Sequence, residues 1–282
     1  VTANYDNMFS PHLAINKVFN ANLSAYASYS KGYKAPVSGN IVLSTSGELN
    51  TGLRPEVGNQ FEIGSKGNLL ANKLHYQLAL FHTEFKDKMT SVAVPLDANT
   101  TAYTYIANGG SQKNNGVEFL ANYAAYESAT GFFQSIIPYG NVTYSDFEYD
   151  DFQYESLDSN GQAVAVDYSG NAVAGVAPWV VNAGVDVNTN YGFYGNLNFN
   201  HRDSMPFTSD GANNTDAYNL LNAKIGFKTS FNRFNLNLYA GADNITGTQY
   251  YYMVFVNQLE DAYLPAPYDI NYYGGIKLSY SL

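Results

Sequence analysis

Eight residues of this chain combine type and setting in a way that could hold a small molecule. Tyr33, Tyr103, Tyr105, Tyr250, Tyr251, Tyr252 and Tyr263 fall in or beside long connecting stretches, and Arg54 shares one of these with Tyr33. Phenol rings stack on flat groups, and a guanidinium pairs with an anion through a rigid fork. Together they could contact a flat, anionic ligand. The competing expectation for the same rings is an aromatic girdle at a membrane interface plus ordinary loop packing. Other chemistry is thinly represented. His12, His75, His82 and His201 lack metal-ligand spacing, so neither a metal nor a cofactor is expected. Ser204 beside His201 and Asp203 is a local grouping of nucleophile, base and acid. It stands at a strand end without a surrounding motif, so catalysis is not expected. The acidic stretch Asp146, Glu148, Asp150, Asp151, Glu155, Asp158 and Asp167 reads as a solvated loop, with cation or partner binding as the alternative.

Strands must position these residues. Ile270 to Leu282 alternate almost without fault: Tyr272, Gly274, Ile276, Leu278, Tyr280 and Leu282 share one face, and Asn271, Tyr273, Lys277, Ser279 and Ser281 the other. Such a period of two marks a strand with one apolar and one wet side. The same pattern recurs where Trp179, Val181, Ala183, Val185 and Val187 oppose Asn182, Asp186 and Asn188, and where Leu221, Ala223, Ile225 and Phe227 oppose Asn222, Lys224 and Lys228. A face this rich in Asn and Lys cannot line the dry core of a sandwich, because burying unpartnered amides and charges costs too much. It suits a hydrated lumen, with the apolar face turned to lipid.

Candidate strands are Leu13–Phe19, Leu23–Ser30, Gln60–Gly67, Leu74–Phe85, Tyr103–Tyr123, Phe132–Tyr144, Trp179–Val187, Phe193–Arg202, Tyr218–Lys228, Phe234–Asp243 and Ile270–Leu282. Short and long connections alternate between them, as at the two rims of an outer-membrane barrel. Composition agrees: 282 residues include 26 Tyr and 17 Phe but one Trp and no Cys, and no apolar run approaches the length of a spanning helix. The formal net charge of -10 disfavours nucleic acid as a partner. Strand parity leaves two outcomes: either Val1–Met8 adds a twelfth strand and the barrel closes alone, or the chain is the C-terminal part of a larger barrel.

Several motifs bear on that choice. Leu53-Arg54-Pro55-Glu56 is followed by Glu62-Ile63-Gly64-Ser65-Lys66 entering a strand. Phe9-Ser10-Pro11 and Tyr26 to Pro36 precede it; Ile106-Ala107-Asn108-Gly109-Gly110, Asn115-Gly116-Val117-Glu118-Phe119 and Asp243-Asn244-Ile245-Thr246 follow in order. The ordered set resembles the C-terminal barrel half of TonB-dependent outer-membrane receptors, nearest to the siderophore-receptor branch, and covers nearly the whole chain. The resemblance implies an all-β, transmembrane antiparallel barrel of the bacterial outer membrane, with 11–12 strands present out of about 22. The 282 residues are then the C-terminal portion of the barrel. The N-terminal plug, the TonB-contacting segment and the first strands are expected outside them. The implied partners are outer-membrane lipid, that plug and barrel half, TonB through the absent region, and a small-molecule iron chelate. Glu62, Lys66 and Glu118 are expected to face the lumen, and Ile276, Leu278, Tyr280 and Leu282 to serve barrel assembly. Receptors of this kind also take haem, cobalamin or oligosaccharides, which stay open as ligands. An autotransporter translocator of twelve strands, an outer-membrane barrel enzyme and a soluble β adhesin are the rival readings.

Overall fold

The computed structural model of the chain describes residues 5, 7–41, 49–97, 100–157, 163–258 and 263–281. Its strands in chain order are β1 (His12–Asn20), β2 (Leu23–Lys34), β3 (Glu56–Leu69), β4 (Leu74–Lys86), β5 (Met89–Asp97), β6 (Thr100–Asn108), β7 (Ser111–Tyr123), β8 (Tyr126–Glu127) and β9 (Phe133–Asp151). They continue as β10 (Gln153–Leu157), β11 (Ala163–Asp167), β12 (Trp179–Thr189), β13 (Phe193–Arg202), β14 (Tyr218–Phe231), β15 (Phe234–Asp243), β16 (Tyr251–Val254), β17 (Tyr263–Pro265) and β18 (Asn271–Tyr280). One helical turn, α1 (Ser38–Ile41), sits in a connection.

A single antiparallel path runs β1-β2-β3-β4-β7-β9-β12-β13-β14-β15-β18, with β8 added beside β9. The first and last strands do not meet, so the described sheet is an open arc of barrel wall. Every step along the path is a sequence neighbour once the two-residue β8 and the three small hairpins β5–β6, β10–β11 and β16–β17 are set aside, and those hairpins rise from the long connections. The two rims therefore differ as expected. Asn232 and Arg233 turn β14 into β15, and Leu70, Ala71 and Asn72 all take left-handed φ between β3 and β4.

Cross-strand register carries one apolar face across the arc. Ile63 stands opposite Leu80, Leu80 opposite Val117, and Val117 opposite Tyr144, which meets Trp179. Farther on, Ile225 meets Ala240, and Leu238 meets Ile276. Ile225 is 68% and Ile276 76% exposed, far too much contiguous apolar surface to leave in water. The opposite face is polar and tightly bonded. Nδ2 of Asn182 donates to Oδ1 of Asn141, Asn200 donates to Asn182, and Asn222 donates to Asn200; the Asn244 backbone N–H then donates to Asn222. This head-to-tail row crosses β9, β12, β13 and β14, and each carboxamide polarises the next. Glycines on this face lie under tyrosine rings: a Cβ added at Gly64, Gly184, Gly226, Gly241 or Gly275 would fall 2.3–2.6 Å from the ring of Tyr26, Tyr139, Tyr194, Tyr273 or Tyr239 respectively. The missing side chain on one strand is filled by the aromatic ring of the next, which holds register without a core.

The most buried residues are in the connections. Phe152 is 1% exposed, and Tyr149, Ala174, Ala177, Thr208, Ser209 and Asn257 are buried around it or nearby in the same loop layer. Tyr149 Oη meets Ser209 Oγ at 3.0 Å, Asn171 Nδ2 donates to the Ser209 carbonyl, and the Ser209 N–H donates to Asn257 Oδ1 at 2.8 Å. Gly175 N–H reaches the Pro206 carbonyl at 2.7 Å. Connections from three places in the sequence are thus tied into one body above the wall.

Three expectations change. Tyr103–Tyr123 is not one strand, because Gly109 and Gly110 break it into β6 and β7, Gly110 taking φ +75°. The acidic run is partly strand, since β9 extends to Asp151; Lys113 pairs with Asp150, while Asp158 lies outside the described residues. The proposed extra strand at Val1–Met8 falls largely outside them, as does Leu282; Tyr5, Asn7 and Met8 carry no strand.

Candidate functional site

The sequence-derived candidates separate into three places. The first is a corner where β3 begins. Arg54 donates through Nε and Nη2 to Asp87 Oδ1 at 2.8 and 2.5 Å. Asn108, at the end of β6, clamps the same point: its Oδ1 accepts from the Arg54 N–H at 2.8 Å, and its Nδ2 donates to the carbonyls of Arg54 and Asp87. Glu56 is buried, accepts from the Met89 N–H at 2.7 Å, and lies 3.7 and 3.9 Å from Lys34 and Lys88. Tyr103 and Tyr105 ride on this hairpin opposite Val94 and Val92, and burial pushes the Tyr105 phenol up. Two motifs distant in sequence therefore form one clip that fixes a hairpin to the wall. Arg54 is held by Asp87 there, and Glu56, which sequence reasoning quoted but gave no role, is its buried anchor.

The second place is on the polar face. Glu62, Lys66 and Glu118 border one recess of about 540 Å³ together with Tyr26, Gln77 and Asn141. Glu62 accepts from Tyr26 Oη at 2.6 Å and from Gln60 Nε2 at 3.1 Å. Lys66 has no ion pair among the described residues, and the spacing explains it: four residues along a strand is about 13 Å, too far for Glu62 to reach. Tyr33 stands apart from both. It pairs in register with Val57 on the apolar face, under the Lys31 ammonium at 5.2 Å, the setting of an interface ring.

The third place gathers the C-terminal candidates. Tyr250, Tyr251 and Tyr252 line a cavity of about 320 Å³ with Arg202, Met205, Asp216, Tyr218 and Tyr268. Tyr250 stacks on Tyr218 with centroids 5.0 Å apart and meets Tyr252 edge-on at 5.6 Å. Tyr251 packs on Tyr263 at 4.4 Å. Burial, with help from the Tyr252 hydroxyl, pushes the Tyr250 phenol up to about 12, so it is a neutral hydrogen-bonding group at any ordinary pH. Asn244 launches this loop from β15. It takes φ +53°, is buried, and holds Thr248 from both ends of its carboxamide at 2.9 Å. Asn244→Ala is expected to cost about 1–3 kcal/mol through lost bonds and backbone strain. A lower urea midpoint in detergent and earlier cleavage within 244–269 would register it, with Asn244→Gly recovering the strain part.

Ser204 Oγ donates to the Thr215 carbonyl at 2.7 Å, and His201 Nδ1 meets Asn219 Oδ1 at 2.9 Å. His75 and His82 likewise meet Asn68 and Asn115. Arg202 was not singled out from sequence; only its cross-strand pairing with Tyr218 brings it to the cavity.

An open antiparallel wall, apolar on one face and polar on the other, with short turns at one rim and hairpin-bearing loops at the other, defines a transmembrane β-barrel of the outer-membrane type. A family model described as "TonB dependent receptor-like, beta-barrel" matches residues 1–245, and the chain belongs to that family. This is a family of transport receptors and not an enzyme class, and it sets aside the autotransporter and adhesin readings. Among solved structures, the siderophore receptor PiuA from Acinetobacter baumannii is similar at 20% identity and TM-score 0.69, over 95% of this chain and 35% of that one. The ferric citrate transporter FecA in the unliganded form is similar at 17% identity and TM-score 0.69, over 96% and 38%. The copper transporter OprC is similar at 12% identity and TM-score 0.68, over 94% and 38%. This chain thus spans well under half the length of the structures it resembles.

Proposed function

We propose that this chain is the C-terminal portion of the barrel of a bacterial outer-membrane receptor that takes up a small iron chelate with energy from TonB. Outer-membrane lipid is the medium of its apolar face, and a plug, the rest of the barrel and TonB are its protein partners, contributed by sequence outside these residues. The observation that carries the reading is the division of one sheet into an apolar outer belt and a polar, hydrogen-bonded inner face in a chain of this family. For the cargo, the support is the tyrosine-lined cavity at the rim of the long loops, because aromatic rings suit a flat chelate. The siderophore receptor and the ferric citrate transporter point the same way, whereas the copper transporter keeps a different metal cargo open.

Uptake of radiolabelled iron chelates by cells carrying the full-length receptor tests it. Replacing Tyr250, Tyr251 and Tyr252 together by Ala is expected to lower apparent affinity by about tenfold or more, at a few tenths to one kcal/mol per lost ring contact plus lost burial. Unchanged uptake would remove these tyrosines from the site, and absence of iron uptake by the native receptor would end the iron assignment.

A further inference from the structure

Arg202 ends β13 on the polar face, opposite Val180 on one side and Tyr218 on the other. Its Nε is buried without a hydrogen-bond partner. No ion pair reaches its guanidinium among the described residues, although Arg54, Lys34, Lys88 and Lys113 each have a carboxylate. A donor of a charged group that loses its hydration and receives no acceptor is uncommon in a folded protein, and points to an acceptor supplied from outside the chain.

The cavity beside it has the shape of an answer. About 320 Å³ is the small end of ligand pockets and has room for one substituted ring. Its walls carry Tyr218, Tyr250, Tyr252 and Tyr268, and the tilted Tyr218–Tyr250 pair meets an edge-on Tyr252. The tie between Gly175, in its lining, and Pro206 and the bonds through Ser209 hold the neighbouring connections together.

We infer that, within the uptake function proposed above, this cavity is a subsite for one aromatic carboxylate of the cargo, with the Arg202 guanidinium as its anchor. The two oxygens of a carboxylate match the planar fork, including its Nε edge, and the ring behind them lies against phenol faces. Asp216, exposed at the edge of the same lining, repels a dianion such as phosphate more than it repels a monoanionic carboxylate.

Titration calorimetry on the full-length receptor in detergent, with benzoate and with neutral benzamide as probes, decides the matter. Benzoate is expected to bind about tenfold or more tightly than benzamide, the usual worth of a charge-assisted bond. Arg202→Gln is expected to bring the two probes to similar affinity, and Arg202→Lys to recover part of the difference. Equal affinity for the two probes on the native receptor, or no benzoate binding, overturns the assignment without recourse to any variant. A benzoate preference kept by Arg202→Gln overturns it as well. Iron-chelate uptake in the same strains separates the two readings: uptake without a benzoate preference leaves the transport function and removes the subsite, whereas a preference that depends on Arg202 in a receptor that moves no iron keeps the subsite and removes the cargo.

Discussion

Ile276→Arg in the full-length receptor is expected to abolish most heat-modifiable migration and to shift the protein from the outer-membrane fraction to aggregates. Ile276 lies at the middle of the outward face of β18, between Tyr272 and Tyr280. Those two rings are eight residues apart, about 27 Å along the strand, and a tilt of about 40° leaves about 21 Å along the membrane normal, inside the roughly 25 Å apolar band of such barrels. Across the ladder Ile276 meets Leu238. Arg near mid-membrane on a lipid face costs about 2–4 kcal/mol, and Asp at the same position or at Leu278 somewhat less. Lys277→Asp and Ser279→Asp lie on the wet face and are the controls: they should assemble normally. If Ile276→Arg and Lys277→Asp assemble equally well, the outward face does not touch hydrocarbon.

The second large effect is expected at Gly110. It closes the corner between β6 and β7 with φ +75°, and a Cβ placed there would sit 1.5 Å from the Asp151 carbonyl oxygen, inside the backbone of the neighbouring strand. Ala must therefore either reverse the local backbone or push the end of β9 away, and the Lys88 N–H loses its bond to the Gly110 carbonyl in both cases. A loss of about 3 kcal/mol or more is expected, above the strain of a left-handed residue alone. Gly131 supplies the comparison. Its φ is +91° but no atom lies within 4 Å of an added Cβ, so Gly131→Ala carries only the strain, about 1 kcal/mol. Urea midpoints of the two variants in detergent check this, and similar midpoints would show that the corner yields at little cost.

Both predictions expose how differently information is stored along this chain. The sidedness of each strand is local: in extended backbone successive side chains point to opposite faces, so alternation of Ile276, Leu278 and Tyr280 with Lys277 and Ser279 names the two media before any partner strand is known. The order of short and long connections is equally local, and with it the rims, the path of the wall and the motifs Leu53 to Lys66 and Asn108 to Gly110. The ends of strands were less legible. β2, β3 and β9 run past the predicted ends because a strand can project beyond the bilayer once neighbours accept its hydrogen bonds, and no residue type marks that point.

The pairing of distant residues had no trace in sequence. Asn108 meets Arg54 across 54 positions, Ser209 meets Tyr149 across 60, and Arg202 comes beside Tyr250 only because β13, β14 and the loop after β15 share one corner. The sequence by itself thus determined the fold class, the two faces of the wall and the family. The tertiary structure alone decided which tyrosines form a cavity, that Arg54 is held by Asp87, and that Arg202 faces the cavity with an unanswered donor. The physical reason is range: alternation is read from adjacent peptide units, whereas contacts among loops depend on register summed over several strands, which no single stretch of residues encodes.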